Sequence, residues 1–126
     1  MTVEGRVLII DDHEEIRAVL RELLALEDLD VEEAGNGVDG LAVARDRLPG
    51  VILLDLSMPG LSGMEVLEQL KDGPATAASR VIVLTGHGDI ECEEALDAGA
   101  EECLQKPFEA PLLLELIERL LAPDRR

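Results

Sequence analysis

Aromatic residues are all but missing, with one Phe and no Trp or Tyr in 126 residues. Single-stranded nucleic acid is commonly held by bases stacking on aromatic rings, so that mode is excluded and the core has to be aliphatic. Positive charge is scarce as well: 11 basic residues stand against 28 acidic ones, for a formal net charge of −17. Phosphate backbones are bound through Lys and Arg clusters, and none occurs here beyond the terminal Arg125-Arg126. Direct nucleic-acid binding is therefore not expected, and a protein partner should offer a basic patch. No apolar run is long enough to cross a bilayer, and no basic segment leads into an apolar one at the N-terminus. A cytoplasmic protein with no membrane association is expected. The two cysteines, Cys92 and Cys103, lack metal-type spacing, and free thiols without a redox role are expected of them.

What is present is a hydrophobic fraction of 47% spread over 126 residues, enough to close one core without a structural metal or cross-link. A single domain over 1–126 is expected, with a core from about residue 5 to about 122. The stretch that organises it is Val51 to Gly60, V-I-L-L-D-L-S-M-P-G, in which four apolar residues run into Asp55 before a Pro-Gly turn. A short unbroken aliphatic run suits a strand buried on both faces of a parallel sheet. Arg6 to Asp12 repeats the pattern and ends in Asp11 and Asp12, and Val81 to Thr85 repeats it with a terminal hydroxyl. Leu29 to Glu33 and Glu102 to Gln105 complete five strands.

Helical period fills the gaps between them. Ile16, Val19, Leu20, Leu23 and Leu24 make one apolar stripe, and Val38, Leu41, Ala42 and Leu48 a second after the Gly35-Asn36-Gly37 turn. Ser62 to Glu65 has the S-x-x-E form of a capping box, opening a third helix that faces inward with Met64, Leu67 and Leu70. Asp89 is the expected N-cap of a fourth helix ending at Gly99. A fifth follows Pro111, with Leu112, Leu113, Leu116, Ile117, Leu120 and Leu121 on one face, and stops before Pro123.

Five strands alternating with five helices predict a doubly wound, flavodoxin-like α/β fold with a parallel sheet in the order 2-1-3-4-5. The switch point then falls between the first and third strands, so Asp11, Asp12 and Asp55 meet at one crevice, with Lys106 placed to join them. Three carboxylates at that range raise one another's pKa unless a cation intervenes. Oxygen donors without Cys or His favour a hard ion such as Mg²⁺, with Mn²⁺ the second choice, and such an ion accepts phosphoryl oxygens. Asp55 can then attack phosphorus to give an acyl phosphate, while Lys106 supplies a point charge and Thr85 a hydrogen bond.

The set Asp11-Asp12, D-x-x-M-P-G at 55–60, Thr85-Gly86 and Lys106-Pro107-Phe108 resembles a response-regulator receiver domain, over nearly the whole chain. Receivers are themselves a familiar instance of the 2-1-3-4-5 order, so the topology follows from the resemblance as much as from the alternation. The resemblance implies that Asp55 accepts phosphate from a histidine kinase or phosphotransfer protein. It implies that Asp12, Asp55 and the Ser57 backbone carbonyl hold Mg²⁺, and that Asp11 acts through a metal-bound water. It also implies that Thr85 and Lys106 bind the phosphoryl group. Thr85 would report the event to the face made by the fourth helix, the fifth strand and the fifth helix.

One position departs from the family: an aromatic residue or His usually stands three before the lysine, where this chain has Cys103. Without the aromatic lock, the loop from Gly86 to Asp89 is expected to carry the switch. His13 reads as a solvated first-turn residue, His87 as a neighbour of the pocket mouth and Phe108 as a packing residue. The expected function is a single-domain phosphorylation switch or phosphorelay carrier, although a segment cut from a longer regulator would read the same. A scaffold that no longer takes phosphate is one alternative. An aspartate-nucleophile phosphatase is another, opposed by Ser57 where its second acid would stand. Acidic residues crowd Asp89 to Glu102 with no basic residue before Gln105, so like faces should repel and a monomer is expected.

Overall fold

The structure is a computed structural model that describes residues 3–86 and 88–121. Strands β1 (Val3–Ile10), β2 (Asp30–Ala34), β3 (Pro49–Asp55), β4 (Arg80–Thr85) and β5 (Glu102–Gln105) alternate with helices α1 (Glu14–Ala25), α2 (Gly37–Arg47), α3 (Gly63–Asp72), α4 (Asp89–Asp97) and α5 (Ala110–Leu121). All pairings are parallel and the sheet order is β2-β1-β3-β4-β5, as the alternation predicts.

Successive strand residues point to opposite faces, and both faces are covered. Leu8, Ile10, Ile52, Leu54, Val81 and Val83 face α2 and α3, packing with Leu41, Val66, Leu67 and Leu70. Val7, Ile9, Val51, Leu53, Ile82 and Leu84 face α1 and α5, packing with Leu20, Leu24, Leu113, Leu116 and Ile117. The central β3 is buried along its whole length, which is why its sequence carries no alternation.

Four details differ from the sequence reading. Val19 and Leu112 are exposed, at the edges of their stripes. In α2 the buried face is Gly37, Gly40, Leu41 and Ala44, while Val38 and Ala42 are exposed. The helix lies too close for larger groups, since a Cβ on Gly40 would stand 2.7 Å from Cδ1 of Ile10. Gly88, not Asp89, occupies the N-cap of α4, without a side-chain cap. Lastly, Cys92 and Cys103 are not free thiols: they form a disulfide joining α4 to β5, with Cα atoms 5.6 Å apart. The return of the chain from α4 into the edge strand lays the helix over its neighbour, a proximity that a spacing of 11 residues does not reveal.

The capping box of α3 is present on both sides, Ser62 accepting from the Glu65 N–H and Glu65 accepting from the Ser62 N–H. Expectations about His87 and about the chain from residue 122 onward lie outside the described residues.

Candidate functional site

Parallel strands end on one side, so the C-terminal edge of the sheet gathers whatever polar residues follow the apolar runs. Asp11 follows β1, Asp55 closes β3, Thr85 closes β4 and Lys106 follows β5. The β3–β4 register sets Asp55 against Leu84, which puts Thr85 one step further along the same edge.

The side chains converge as the sequence reading requires. Lys106 Nζ stands 3.6 Å from Asp55 Oδ1 and 3.8 Å from Asp11 Oδ2. Asp11, Asp12, His13 and Asp55 each offer one ligand atom within 4.8 Å of the others. Asp11 and Asp55 are almost fully buried, Asp12 half-buried, and Ser57 lies exposed at the rim. The Ser57 N–H donates to Asp55 Oδ1 at 3.0 Å, and the His13 N–H donates to Asp11 Oδ1 at 2.8 Å. Each of those carboxylates therefore has one oxygen fixed by the backbone. The other, Oδ2 in both cases, is buried and accepts no hydrogen bond among the described residues, as does Asp12 Oδ1. Buried carboxylate oxygens left without a donor are costly. Three carboxylates clustered this closely, with oxygens that accept no hydrogen bond among the described residues, suit a hard divalent cation in charge and donor type.

Burial pushes the Asp55 carboxyl above its ordinary 3.8; the Ser57 N–H pulls the other way, Asp11 adds to the rise, Lys106 opposes it and Asp12 adds a little more. Desolvation thus outweighs the ammonium, so that ionising Asp55 costs more here than it does in water.

The strand-end loop is held by close packing. A Cβ on Gly63 would lie 2.5 Å from the Leu56 Cα and 2.7 Å from the Asp55 carbonyl oxygen. Only glycine lets α3 start against the acidic loop, and Gly60, at φ 76°, makes the preceding turn in the left-handed region. The Lys106 N–H donates to the Thr85 carbonyl at 2.7 Å, which ties the strand ends carrying the hydroxyl and the ammonium. The Lys106-Pro107 peptide is cis.

Three residues near the site were not singled out as functional by sequence reasoning. Arg17 donates from Nη1 to the Asp11 carbonyl at 2.7 Å and from Nε to Glu33 at 3.2 Å, bracing the first acidic loop. Its place on the charged side of the α1 stripe gave no hint of this. His13 is exposed, as expected, yet its Nδ1 lies 3.2 Å from both Asp11 Oδ1 and Asp12 Oδ1. Glu91 accepts a hydrogen bond from the Thr85 hydroxyl. Nothing in the run of acids around it separates Glu91 from Glu93 or Glu94.

Comparison with known proteins agrees with this geometry. Residues 7–118 match the family described as the response regulator receiver domain. The chain is 40% identical over 114 residues to the transcriptional regulatory protein FixJ of Rhizobium meliloti, covering 90% of this chain and 55% of that protein. It is 38% identical over 123 residues to the C4-dicarboxylate transport transcriptional regulatory protein DctD of Pseudomonas aeruginosa, covering 97% of this chain and 26% of that one. The chain thus spans about half or less of the length of these curated relatives. Among solved structures, a CheY-like receiver domain protein from Methanospirillum hungatei superposes with a TM-score of 0.88 at 30% identity, covering 96% of each chain. Sequence, topology and strand-end chemistry agree: the chain belongs to the receiver-domain family of two-component response regulators.

Proposed function

We propose that this receiver accepts a phosphoryl group on Asp55 from the phosphohistidine of a histidine kinase or phosphotransfer protein. The observation that carries the reading is the pair of buried acids, Asp11 and Asp55, each with an oxygen that accepts no hydrogen bond among the described residues, clustered with Asp12 and with a lysine ammonium beside them. A carboxylate oxygen of Asp55 forms the new bond to phosphorus, and the bond to the donor's imidazole nitrogen breaks, with that nitrogen leaving as the imidazole. Lys106 faces the incoming phosphoryl charge, and Thr85, at the adjacent strand end, donates its hydroxyl to that group once it leaves Glu91. Asp12, Asp55 and the Ser57 carbonyl would hold Mg²⁺, or Mn²⁺ in its place, with Asp11 acting through a bound water. Such an ion spreads the negative charge that builds on the phosphoryl oxygens. In this reading the protein is a phospho-acceptor that promotes its own phosphorylation and hydrolysis, not an enzyme turning over a separate substrate. Residues from about 5 to about 122 form one receiver domain, and its signalling target is a protein with a basic face.

The test is intact mass after incubation with phosphoramidate and Mg²⁺. A single phosphorylation is expected in the parent chain, none in Asp55→Asn, and none when EDTA replaces the ion. An unchanged mass gain in Asp55→Asn would remove the assignment.

A further inference from the structure

The first turn of α4 is fastened to the sheet edge at three points. Glu91 accepts from the Thr85 hydroxyl, Asp89 accepts from Gln105 Nε2 at 2.9 Å, and Cys92 is bonded to Cys103 of β5. The first two ties are hydrogen bonds, which can exchange for bonds to water. The third is covalent. It joins the residue next to Glu91 to the strand position opposite Val83 of β4. For the Thr85 hydroxyl to turn toward a phosphoryl group on Asp55 it has to leave Glu91, and Glu91 departs most readily when the turn of α4 that carries it shifts. With Cys92 bonded to β5, that shift is opposed.

We propose that Cys92 and Cys103 are a thiol–disulfide exchange site that gates the switch. The disulfide holds Glu91 on Thr85 and keeps the receiver in its unphosphorylated arrangement; the dithiol releases it. The inference rests on the reading of Asp55 and Thr85 given above. Both cysteines are half-buried, so a small reagent can reach them. Reduction by a dithiol proceeds by attack of its thiolate on one cysteine sulfur to give a mixed disulfide. The reagent's second thiolate then closes its own ring and expels the second protein thiol. Two electrons and two protons pass to the protein, and the reagent leaves as a cyclic disulfide. Oxidation by a cyclic or linear disulfide is the reverse. Glu91, Glu93, Glu94 and Glu102 lie within two residues of one or other cysteine in the sequence, so an uncharged reagent is the suitable probe.

The full chain is equilibrated with reduced or oxidised dithiothreitol and its redox state fixed by alkylation and mass. The apparent affinity for beryllofluoride with Mg²⁺ is then measured by calorimetry, and the rate of phosphorylation by phosphoramidate by intact mass. Coupling between two sites of one domain is commonly five- to 150-fold, and a loss of affinity within about that range is expected for the disulfide form. Cys92→Ser and Cys103→Ser should behave as the reduced parent whichever reagent is present. If either serine variant folds poorly, the reduced parent capped with iodoacetamide supplies the same comparison. Glu91→Gln, which keeps both cysteines, should narrow the gap between the two forms. Equal affinity and rate in the two forms, with both accepting phosphate, overturns the gate and leaves Asp55 in place. Failure of the oxidised reagent to join the two thiols also overturns it. If neither form takes phosphate, the reading of Asp55 falls, and the gate with it.

Discussion

Asp55 carries two opposing demands, because a nucleophile that must be ionised to react is held where ionisation is disfavoured. Burial raises its pKa above 3.8 more than Ser57 and Lys106 lower it. A carboxyl that binds its proton more tightly when folded adds most stability below the unfolded value, and that stability is lost as pH rises through the folded value. Above the folded value that contribution is gone. Asp55→Asn should therefore melt a few degrees above the parent at pH 7 in EDTA, with the gap closing as the pH falls toward 3.8. Mg²⁺ should also close it, by stabilising the parent alone. Melting curves across pH in EDTA check the sign; a variant less stable than the parent at pH 7 would contradict the account. Lys106 bears on the same oxygens from the other side, 3.6 Å from Asp55 and 3.8 Å from Asp11. Its ammonium competes with a divalent ion for that negative charge, so Lys106→Ala should bind Mg²⁺ more tightly while taking phosphate more slowly. Calorimetry and intact mass separate the two effects, and weaker Mg²⁺ binding would refute the competition.

At the scale of elements, the residues that position the site were legible wherever one strand or one cap sufficed. The apolar runs ending in Asp11, Asp55 and Thr85 are local signals, and so is the Ser62-Glu65 box. What the sequence did not expose were pairings between elements: Arg17 reaching back to the Asp11 carbonyl, Glu91 on Thr85, and Cys92 meeting Cys103. Each depends on how a helix crosses its neighbouring strand, which periodicity does not encode. The same limit explains α2, where helical spacing selected Val38 and Ala42 although close packing admits Gly37, Gly40 and Ala44. Gly63 shows the consequence for function. A Cβ there meets backbone atoms of Asp55 and Leu56, which cannot rotate away. Gly63→Ala should cost about 1–3 kcal/mol of stability and weaken Mg²⁺ binding by displacing the loop that carries Ser57. Denaturant unfolding measures the first and calorimetry the second. A variant as stable as the parent would show that α3 can move off the loop freely.

For the molecule as a whole, the distribution of charge matters more than its total. Several acids of the sheet edge are matched locally: Glu101 accepts from Lys71 and from the Val81 N–H, and Glu102 pairs with Arg119 of α5. Glu93, Glu94 and Asp97 on α4 have no ion-pair partner among the described residues and stand exposed. Exposed Ile90, Leu96 and Leu112 lie among them and on α5. Exposed apolar residues interspersed with exposed acids suit a partner that offers apolar contacts beside Lys and Arg, and the acids repel a second copy of the same face. A two-fold dimer through this face would oppose like charges across the axis, with screening over about 8 Å at physiological salt too short to relieve charges in contact. Phosphorylation adds negative charge at the nearby edge and no cation to the face. The chain is therefore expected to remain monomeric with and without beryllofluoride at micromolar concentration in physiological salt. Adding salt should weaken its binding to a basic partner without driving dimerisation. Sedimentation velocity in both states checks this. A dimer that appears with beryllofluoride would mean that movement of α4 pairs these acids in a way the unphosphorylated arrangement does not.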